Sequence, residues 1–419
     1  MNNRTPVLPF LFLFLLTSAS LLGIHTGAVP VAALQATQAT APASYTPVTI
    51  PFELNGRHII LKGKVNGQPT TFVLDTGDQV AIVDSEVAKR LNLTLAGDVR
   101  VGGAGAGTLT GSMVKEASFT IDGLEGFSQP VKMAFPLGKI LSPRAGRDFE
   151  GIIGQEFIQE FVVEIDYLAQ VLKLHDKQKF VYNGTGESVP IKLVHGHPTL
   201  EAEVTPVGST APLKGRFVFD IGNGSALALH SPFVAENQLL GPQVKTIKSL
   251  GGAGAGGETT GQIGRVTELK IGNYTIKSPI TVFSQDKAGA LASDQLAGNI
   301  GARIANKFRV FLDYGRNRII FEPNSSFAAP YDFASAGMSV IAQGADYRTF
   351  RVRAILENSP ASEAGLKEDD IITNINGKSA AEFTLSKLNE LFERPVPYKL
   401  TIKRGEESLQ LTLTPRRLV

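Results

Sequence analysis

Three blocks of this sequence occur twice, in the same order. Phe72-Val-Leu-Asp75-Thr-Gly77 is answered by Phe217-Val-Phe-Asp220-Ile-Gly222, an offset of 145. Val101-Gly-Gly-Ala-Gly-Ala-Gly107 is answered by Leu250-Gly-Gly-Ala-Gly-Ala-Gly256, an offset of 149. Gly151-Ile-Ile-Gly154 is answered by Gly298-Asn-Ile-Gly301, an offset of 147. Each copy of the third block leads into an apolar run ending in Asp-Tyr, Phe161–Tyr167 and Phe308–Tyr314. Offsets this close over three ordered blocks identify an internal duplication, which any fold assigned to the chain must accommodate.

Both copies are punctuated by Gly, Asn and Pro between short β-rich runs such as His58–Val65, Phe161–Ile165 and Arg318–Phe321, so the pattern predicts a mainly β fold. One helix is expected at Ser85–Leu93, capped by Ser85 or Asp84. Copy one spans 48–185 and copy two 186–324, with a linker at 325–337. Residues 338–419 differ in character. They combine a strand at Arg351–Leu356, a strand running into a turn over Ile371–Gly377, a short capped helix at Ser359–Leu366, and a helix at Thr384–Phe392. A closing hairpin pattern completes a compact α+β module.

The N-terminus has Arg4 ahead of an interrupted apolar stretch whose core is Phe10–Leu16, followed by small residues. That is the form of an export signal, expected over 1–33 with a cut after Ala28 or Ala33, and an uncleaved anchor as the second reading. An Ala/Thr/Gln/Pro leader follows at 34–47, and the expected location is periplasmic or secreted. The chain has no cysteine, which excludes disulfides, thiol catalysis and thiolate metal sites. Its 41 basic and 39 acidic residues leave no basic surplus for nucleic acid or for a membrane beyond the signal segment.

In each copy an apolar strand runs into Asp-x-Gly, which puts a carboxylate at the end of a buried element. Two such turns on duplicated halves would meet on a pseudo-twofold axis. Carboxylates in contact share a proton, so one can activate water while the other donates to a carbonyl oxygen.

These motifs resemble the aspartic proteases, most closely the retroviral-type (retropepsin-like) branch and its single-chain bacterial relatives. Phe72–Gly77 matches the catalytic Asp-Thr-Gly turn, and Ile152-Ile153-Gly154 and Asn299-Ile300-Gly301 look like the second signature that packs around it. The resemblance covers about 48–324 and implies a duplicated, two-lobed acid-protease (pepsin/retropepsin-like) fold. It implies Asp75 and Asp220 as the catalytic pair, with Thr76, Gly77 and Gly222 supporting it, and no metal or cofactor. Gly102, Gly103 and Gly105, with Gly251, Gly252 and Gly254, fall where the family has its flap tips. The second copy departs from the pattern: Ile221 replaces the hydroxyl residue that braces the pair, leaving Thr76 to supply its half. Asp78, directly after the first turn, adds a third carboxylate.

The run Glu357–Gly377 resembles the PDZ domains attached to bacterial envelope proteases, over about 338–416. The resemblance implies a peptide-binding loop at Tyr347, Arg348, Thr349 and Phe350, and a groove between Phe350–Leu356 and the helix Thr384–Phe392. A packing or regulatory module without such a ligand is the alternative.

Other signals carry less. Gly252–Gly257 satisfies G-x-G-x-x-G, but Glu258–Gly264 will not make the helix that a nucleotide site needs. His195-Gly-His197 has no third ligand nearby. Ser225 lies inside the duplicated turn and lacks the Gly-x-Ser-Gly-Gly setting of a serine protease. Asp166 and Asp313 read as strand-end residues. The expected function is an exported aspartic endopeptidase acting on peptide or unfolded protein, its PDZ domain binding a C-terminal peptide or partner. The rival is a non-catalytic peptide-binding or scaffold protein with degenerate lobes.

Overall fold

A computed structural model of the chain describes residues 47–250, 252–331 and 335–419. The expected signal, the expected leader up to residue 46, Gly251 of the second glycine block and residues 332–334 of the expected linker lie outside the described residues. The fold is mainly β.

In the first half, β1 (His58–Val65) and β2 (Gln68–Leu74) form a hairpin over Asn66-Gly67, both at positive φ as a tight two-residue turn requires. There follow β3 (Ile82–Asp84), α1 (Ser85–Arg90), β4 (Thr94–Val101), β5 (Leu109–Lys115), α2 (Gly138–Ala145), β6 (Gly151–Ile153) and β7 (Phe161–Asp166). Asp84 is the cap of α1: one carboxylate oxygen accepts from Glu86 N–H at 2.8 Å and the other from Gly138 N–H at 2.8 Å. The helix ends at Arg90, three residues short of the expected Leu93. Asn92 takes φ +49° and turns the chain out.

The second half contains β8 (Leu213–Asp220), β9 (Leu227–Leu229), α3 (Ser231–Glu236), β10 (Gly298–Gly301) and β11 (Phe308–Asp313). Strand pairing repeats between the halves. β2 runs parallel to β6 with Val73 opposite Ile152, and β8 runs parallel to β10 with Val218 opposite Asn299. β3 lies antiparallel to β6 as β9 does to β10. The halves join where β7 pairs antiparallel with β11, placing Glu164 opposite Phe311, its own repeat equivalent. A continuous apolar core that includes Phe72, Leu74, Phe217, Phe219 and Ile221 runs through both halves. Each of these side chains contributes roughly 1.5–3 kcal/mol by burial, which rigidifies the two strand ends.

The C-terminal part has its own core, built on Phe350, Val352, Leu388, Ile402 and Leu413. Its sheet is ordered β12 (Met338–Gln343), β13 (Thr349–Ile355), β14 (Ile371–Ile375), β15 (Tyr398–Arg404), β16 (Glu407–Leu413). Between β14 and β15 lies α4 (Leu385–Phe392), capped by Thr384, whose hydroxyl accepts from Lys387 N–H at 3.1 Å. The groove expected between Phe350–Leu356 and this helix is not available. β13 is paired on both sides, to β12 and to β14, so the free edge at that end of the sheet belongs to β12. Tyr347 and Arg348 lie in the β12–β13 turn, and Thr349 and Phe350 open β13 opposite Gln343 and Ala342.

Candidate active site

Asp75 and Asp220 emerge from the ends of β2 and β8, and their carboxyl groups are hydrogen-bonded to each other. Their strands are fixed by the parallel partners: Asp75 N–H donates to the Ile153 carbonyl at 2.9 Å, and Asp220 lies opposite Gly301. Gly77 N–H donates to Asp75 Oδ1 at 2.6 Å, and Asn223 N–H to Asp220 Oδ1 at 3.1 Å. The turn glycines are required by the opposite carboxylate. A Cβ on Gly222 would sit 2.0 Å from Asp75 Cγ, and one on Gly77 would sit 2.8 Å from Asp220 Oδ1.

Thr76 is fully buried and crosses between the halves. Its hydroxyl donates to the Phe219 carbonyl at 2.6 Å and accepts from Ile221 N–H at 2.9 Å. Ile221 packs its side chain into the common core. A second crossing runs from His58 in β1, whose Nε2 donates to the Gly222 carbonyl at 3.0 Å. Sequence reasoning does not single out His58, which has no motif of its own.

Desolvation raises the Asp75 carboxyl well above the usual carboxylate range, and the charges of Asp220 and Asp78 push it further. Asp220 is also raised by burial, but hydrogen bonds from Asn299 and from backbone N–H groups oppose the shift. Asp78 is buried beside them, with no hydrogen-bond partner for its Oδ1 among the described residues. Burial, with Asp220 next to it, pushes it up to about 8. At neutral pH the cluster therefore holds more protons than three free carboxyls would, which is the condition for one member to accept a proton while another donates one. Sequence reasoning placed Asn299 in the second signature but not on the carboxylate, and missed His230: Asn299 Nδ2 donates to Asp220 Oδ2 at 2.8 Å, and His230 Nε2 lies 2.8 Å from Asn299 Oδ1.

The two glycine segments meet at their tips. Gly107 N–H donates to the Gly256 carbonyl at 2.7 Å, and Gly256 N–H to the Ala104 carbonyl at 2.8 Å. Gly105, at φ +93°, lets the backbones touch: a Cβ there would be 2.6 Å from the Gly256 carbonyl carbon. Gly103 accepts from Ala290 N–H at 2.9 Å, Gly252 accepts from Thr259 N–H at 2.9 Å, and Gly254 packs on Ala104. Gly102 directly follows β4, at the base of the first tip.

The C-terminal module sits against this assembly. Arg353 of β13 pairs with Glu258 of the second tip at 2.8 Å and also donates to the Leu250 carbonyl, while Arg144 of α2 reaches the same Glu258 oxygen at 2.9 Å. Helix α2 packs against both the β12 edge strand and α4, where an added peptide strand would have to lie. Gly146 abuts Leu385, Tyr347 donates to Asp148 Oδ1 at 2.8 Å, and Arg348 donates to the Phe383 carbonyl. Asp166 accepts from Leu168 and Ala169 N–H groups, and buried Asp313 pairs with Arg316 and Arg318, so both hold strand ends. No metal-ligating cluster occurs among the described residues.

Residues 61–157 match the family model for aspartyl proteases, and residues 351–403 that for PDZ domains. Among curated proteins, the chain is 36% identical over 64 residues to serine protease HTRA1 of Xenopus laevis, covering 15% of this chain and 14% of that protein. It is 42% identical over 62 residues to a putative zinc metalloprotease of Thermotoga maritima, covering 15% and 12%. The chain thus spans about one-seventh of the curated relatives it matches. Among solved structures, the HtrA3 PDZ domain bound to a phage-derived ligand (FGRWV) aligns at 22% identity and TM-score 0.18, covering 20% of this chain and 85% of that one. The photosystem II D1 C-terminal processing protease aligns at 17% identity and TM-score 0.20, covering 21% and 24%. The Asp-Thr-Gly turn at 75–77 falls inside the first family match, and the strands and helix of the C-terminal module around the second: the chain carries a retropepsin-like aspartyl protease segment and a C-terminal PDZ domain.

Proposed function

We propose that the chain is an exported, single-chain aspartic endopeptidase. Residues 48–185 and 186–324 form its two acid-protease lobes, joined by the 325–337 linker to the PDZ domain at 338–419. The observation that carries this reading is the hydrogen-bonded Asp75–Asp220 pair, delivered by two equivalent turns and seated on each other's glycines. The charged carboxylate takes a proton from water as its oxygen attacks the peptide carbonyl carbon. The protonated carboxyl gives its proton to the carbonyl oxygen. Collapse of the resulting tetrahedral diol breaks the C–N bond and moves a proton to the amine. The glycine tips are the flaps that open to admit an extended peptide and close over it.

Digestion of a mixed peptide library by wild type and by Asp75→Asn tests this reading. Wild type is expected to cleave and the variant, still folded, to cleave nothing. Undiminished cleavage by the variant would remove the assignment. Peptide binding without cleavage by wild type from about pH 3 to 8 would favour the second reading, a peptide-binding protein, for which the missing hydroxyl at Ile221 speaks.

A further inference from the structure

The halves differ at two neighbouring positions beside the dyad. Asn299 of β10 stands where the first half has Ile152, and His230, the residue ahead of α3, stands where the first half has Asp84 ahead of α1. In the first half Ile152 is apolar filling, and both oxygens of Asp84 are spent on backbone N–H groups of α1 and α2. In the second half the pair turns towards Asp220. Asn299 Nδ2 donates to Asp220 Oδ2 at 2.8 Å, His230 Nε2 lies 2.8 Å from Asn299 Oδ1, and His230 Nδ1 is 3.3 Å from the Ser293 carbonyl. Asn299 is 1% exposed and His230 0%. Burying the Asn299 amide where the other half keeps an isoleucine costs free energy that its hydrogen bonds offset.

Asn299 presents its NH₂ to Asp220 and its oxygen to His230 Nε2, an arrangement that fits a charged Asp220 and a proton on His230 Nε2. His230 thereby locks the amide in the one orientation that stabilises negative charge on Asp220. Among the described residues Asp75 has no amide side-chain donor of this kind. Its partners are Gly77 N–H and Asp220 itself, and Asp78 adds like charge.

We infer that Asn299 and His230 are positioning residues that divide the labour of the dyad: Asp220 is the charged carboxylate that takes the proton of the attacking water, and Asp75 is the carboxyl that keeps the shared proton and passes it to the peptide carbonyl oxygen. The division of roles rests on the aspartic-peptidase reading, whereas the place of the proton does not require turnover. The other titratable groups around Asp220 are Asp78, Tyr314, which feels both dyad charges, and His58 on the Gly222 carbonyl. The donors to Asp220 are Asn299, Asp75 and the Gly222 and Asn223 N–H groups. Removing Asn299 therefore takes away the amide side-chain donor that Asp220 has among the described residues.

Carboxyl titration by ¹³C NMR with labelled aspartate, together with pH profiles of kcat/KM, tests this in wild type, Asn299→Ile, His230→Gln and His230→Leu. Asn299→Ile restores the first-half residue. It is expected to raise the lower of the dyad's two pKa values by about one unit, moving the acid limb up and cutting the rate on that limb roughly tenfold with KM within about twofold. His230→Gln, whose amide N–H can reach Asn299 Oδ1, is expected to keep the wild-type profile, and His230→Leu to move the limb in the same direction as Asn299→Ile. A folded Asn299→Ile whose lower pKa and acid limb stay in place overturns the inference. So does a loss of stability in all three variants with no movement of the limb. If Asn299→Ile does not fold, the contrast between the two His230 variants decides. If wild type cleaves no peptide, the proposed function fails, and the NMR titration alone still locates the proton.

Discussion

Thr76 Oγ accepts the Ile221 N–H at 2.9 Å, so the turn that lacks a bracing hydroxyl is held by the turn that has one. The same oxygen donates to the Phe219 carbonyl at 2.6 Å, and both contacts are buried. One threonine thus ties the end of β8 to the end of β2 and sets where Asp220 stands against Asp75. Thr76→Val keeps the shape but strands a buried N–H and a buried carbonyl, each costing about 1–3 kcal/mol. Denaturant melts should show a loss of roughly 2–5 kcal/mol, with Thr76→Ser, which retains the hydroxyl, recovering most of it. Equal losses in Val and Ser would mean that the methyl, not the bridge, carries the stability.

Asp78 makes stability fall with rising pH. Its native pKa is pushed up to about 8 from an ordinary 3.8. Between those values the unfolded chain has released a proton that the native chain keeps. The penalty is therefore absent below about pH 4, grows through the window and is complete above about pH 8. Four pKa units set an upper bound of roughly 5 kcal/mol. Asp78→Asn should accordingly raise the melting temperature at pH 8 and leave it nearly unchanged at pH 4. An equal gain at both pH values would place the effect elsewhere.

The site was legible in the sequence wherever the duplication wrote it in both copies. Asp75, Asp220 and their glycines stand at repeated positions, and the structure brings them together. His58 was not legible, because its contact with Gly222 depends on two strands far apart in sequence meeting in three dimensions. Asn299 registered only as a member of the second signature, and His230 not at all. The signal that could have found them was available: laid over one another, the copies replace Ile152 by Asn and Asp84 by His at two strands that turn out to pair. The free edge of the PDZ sheet was misplaced for a related reason. The run Arg351–Leu356 looks like a strand in isolation, but nothing local says that Met338–Gln343 will pair outside it.

Arg353 couples the PDZ domain to the glycine tips. Its guanidinium spans Glu258 and the Leu250 carbonyl, and the second tip hydrogen-bonds in turn to the first. Glu258 is largely solvent-exposed, so the ion pair is worth no more than about 1 kcal/mol. Arg353→Ala should then speed amide hydrogen exchange at Gly256 and Gly107 by roughly two- to fivefold, and about 1 M salt should reproduce part of the effect in wild type. Exchange that is unaltered in the variant would mean the tips are held by their own backbone bonds alone.

Glu393 holds the PDZ domain to both halves at once. Its Oε1 lies 3.0 Å from Arg57 in the first half and 2.9 Å from Arg303 in the second. Burial would raise this carboxyl, but the two guanidiniums outweigh it and the pKa falls below the ordinary 4.5. A depressed carboxylate contributes its stabilisation above the ordinary value and loses it as pH falls through the native one, so docking should weaken only in acid, below the ordinary 4.5. Glu393→Gln removes the anion at every pH and leaves Arg57 and Arg303 facing each other, with Arg303 already lowered to about 10 by burial and by Arg57. Chymotrypsin should therefore cut the proposed linker segment, 325–337, of the variant roughly three- to tenfold faster than that of wild type at pH 7. With an acid-active protease such as pepsin in place of chymotrypsin, the two should converge as pH falls through the native value of Glu393. Identical cutting at pH 7 would show that helix α2 and the Arg353 contact dock the domain without this bridge.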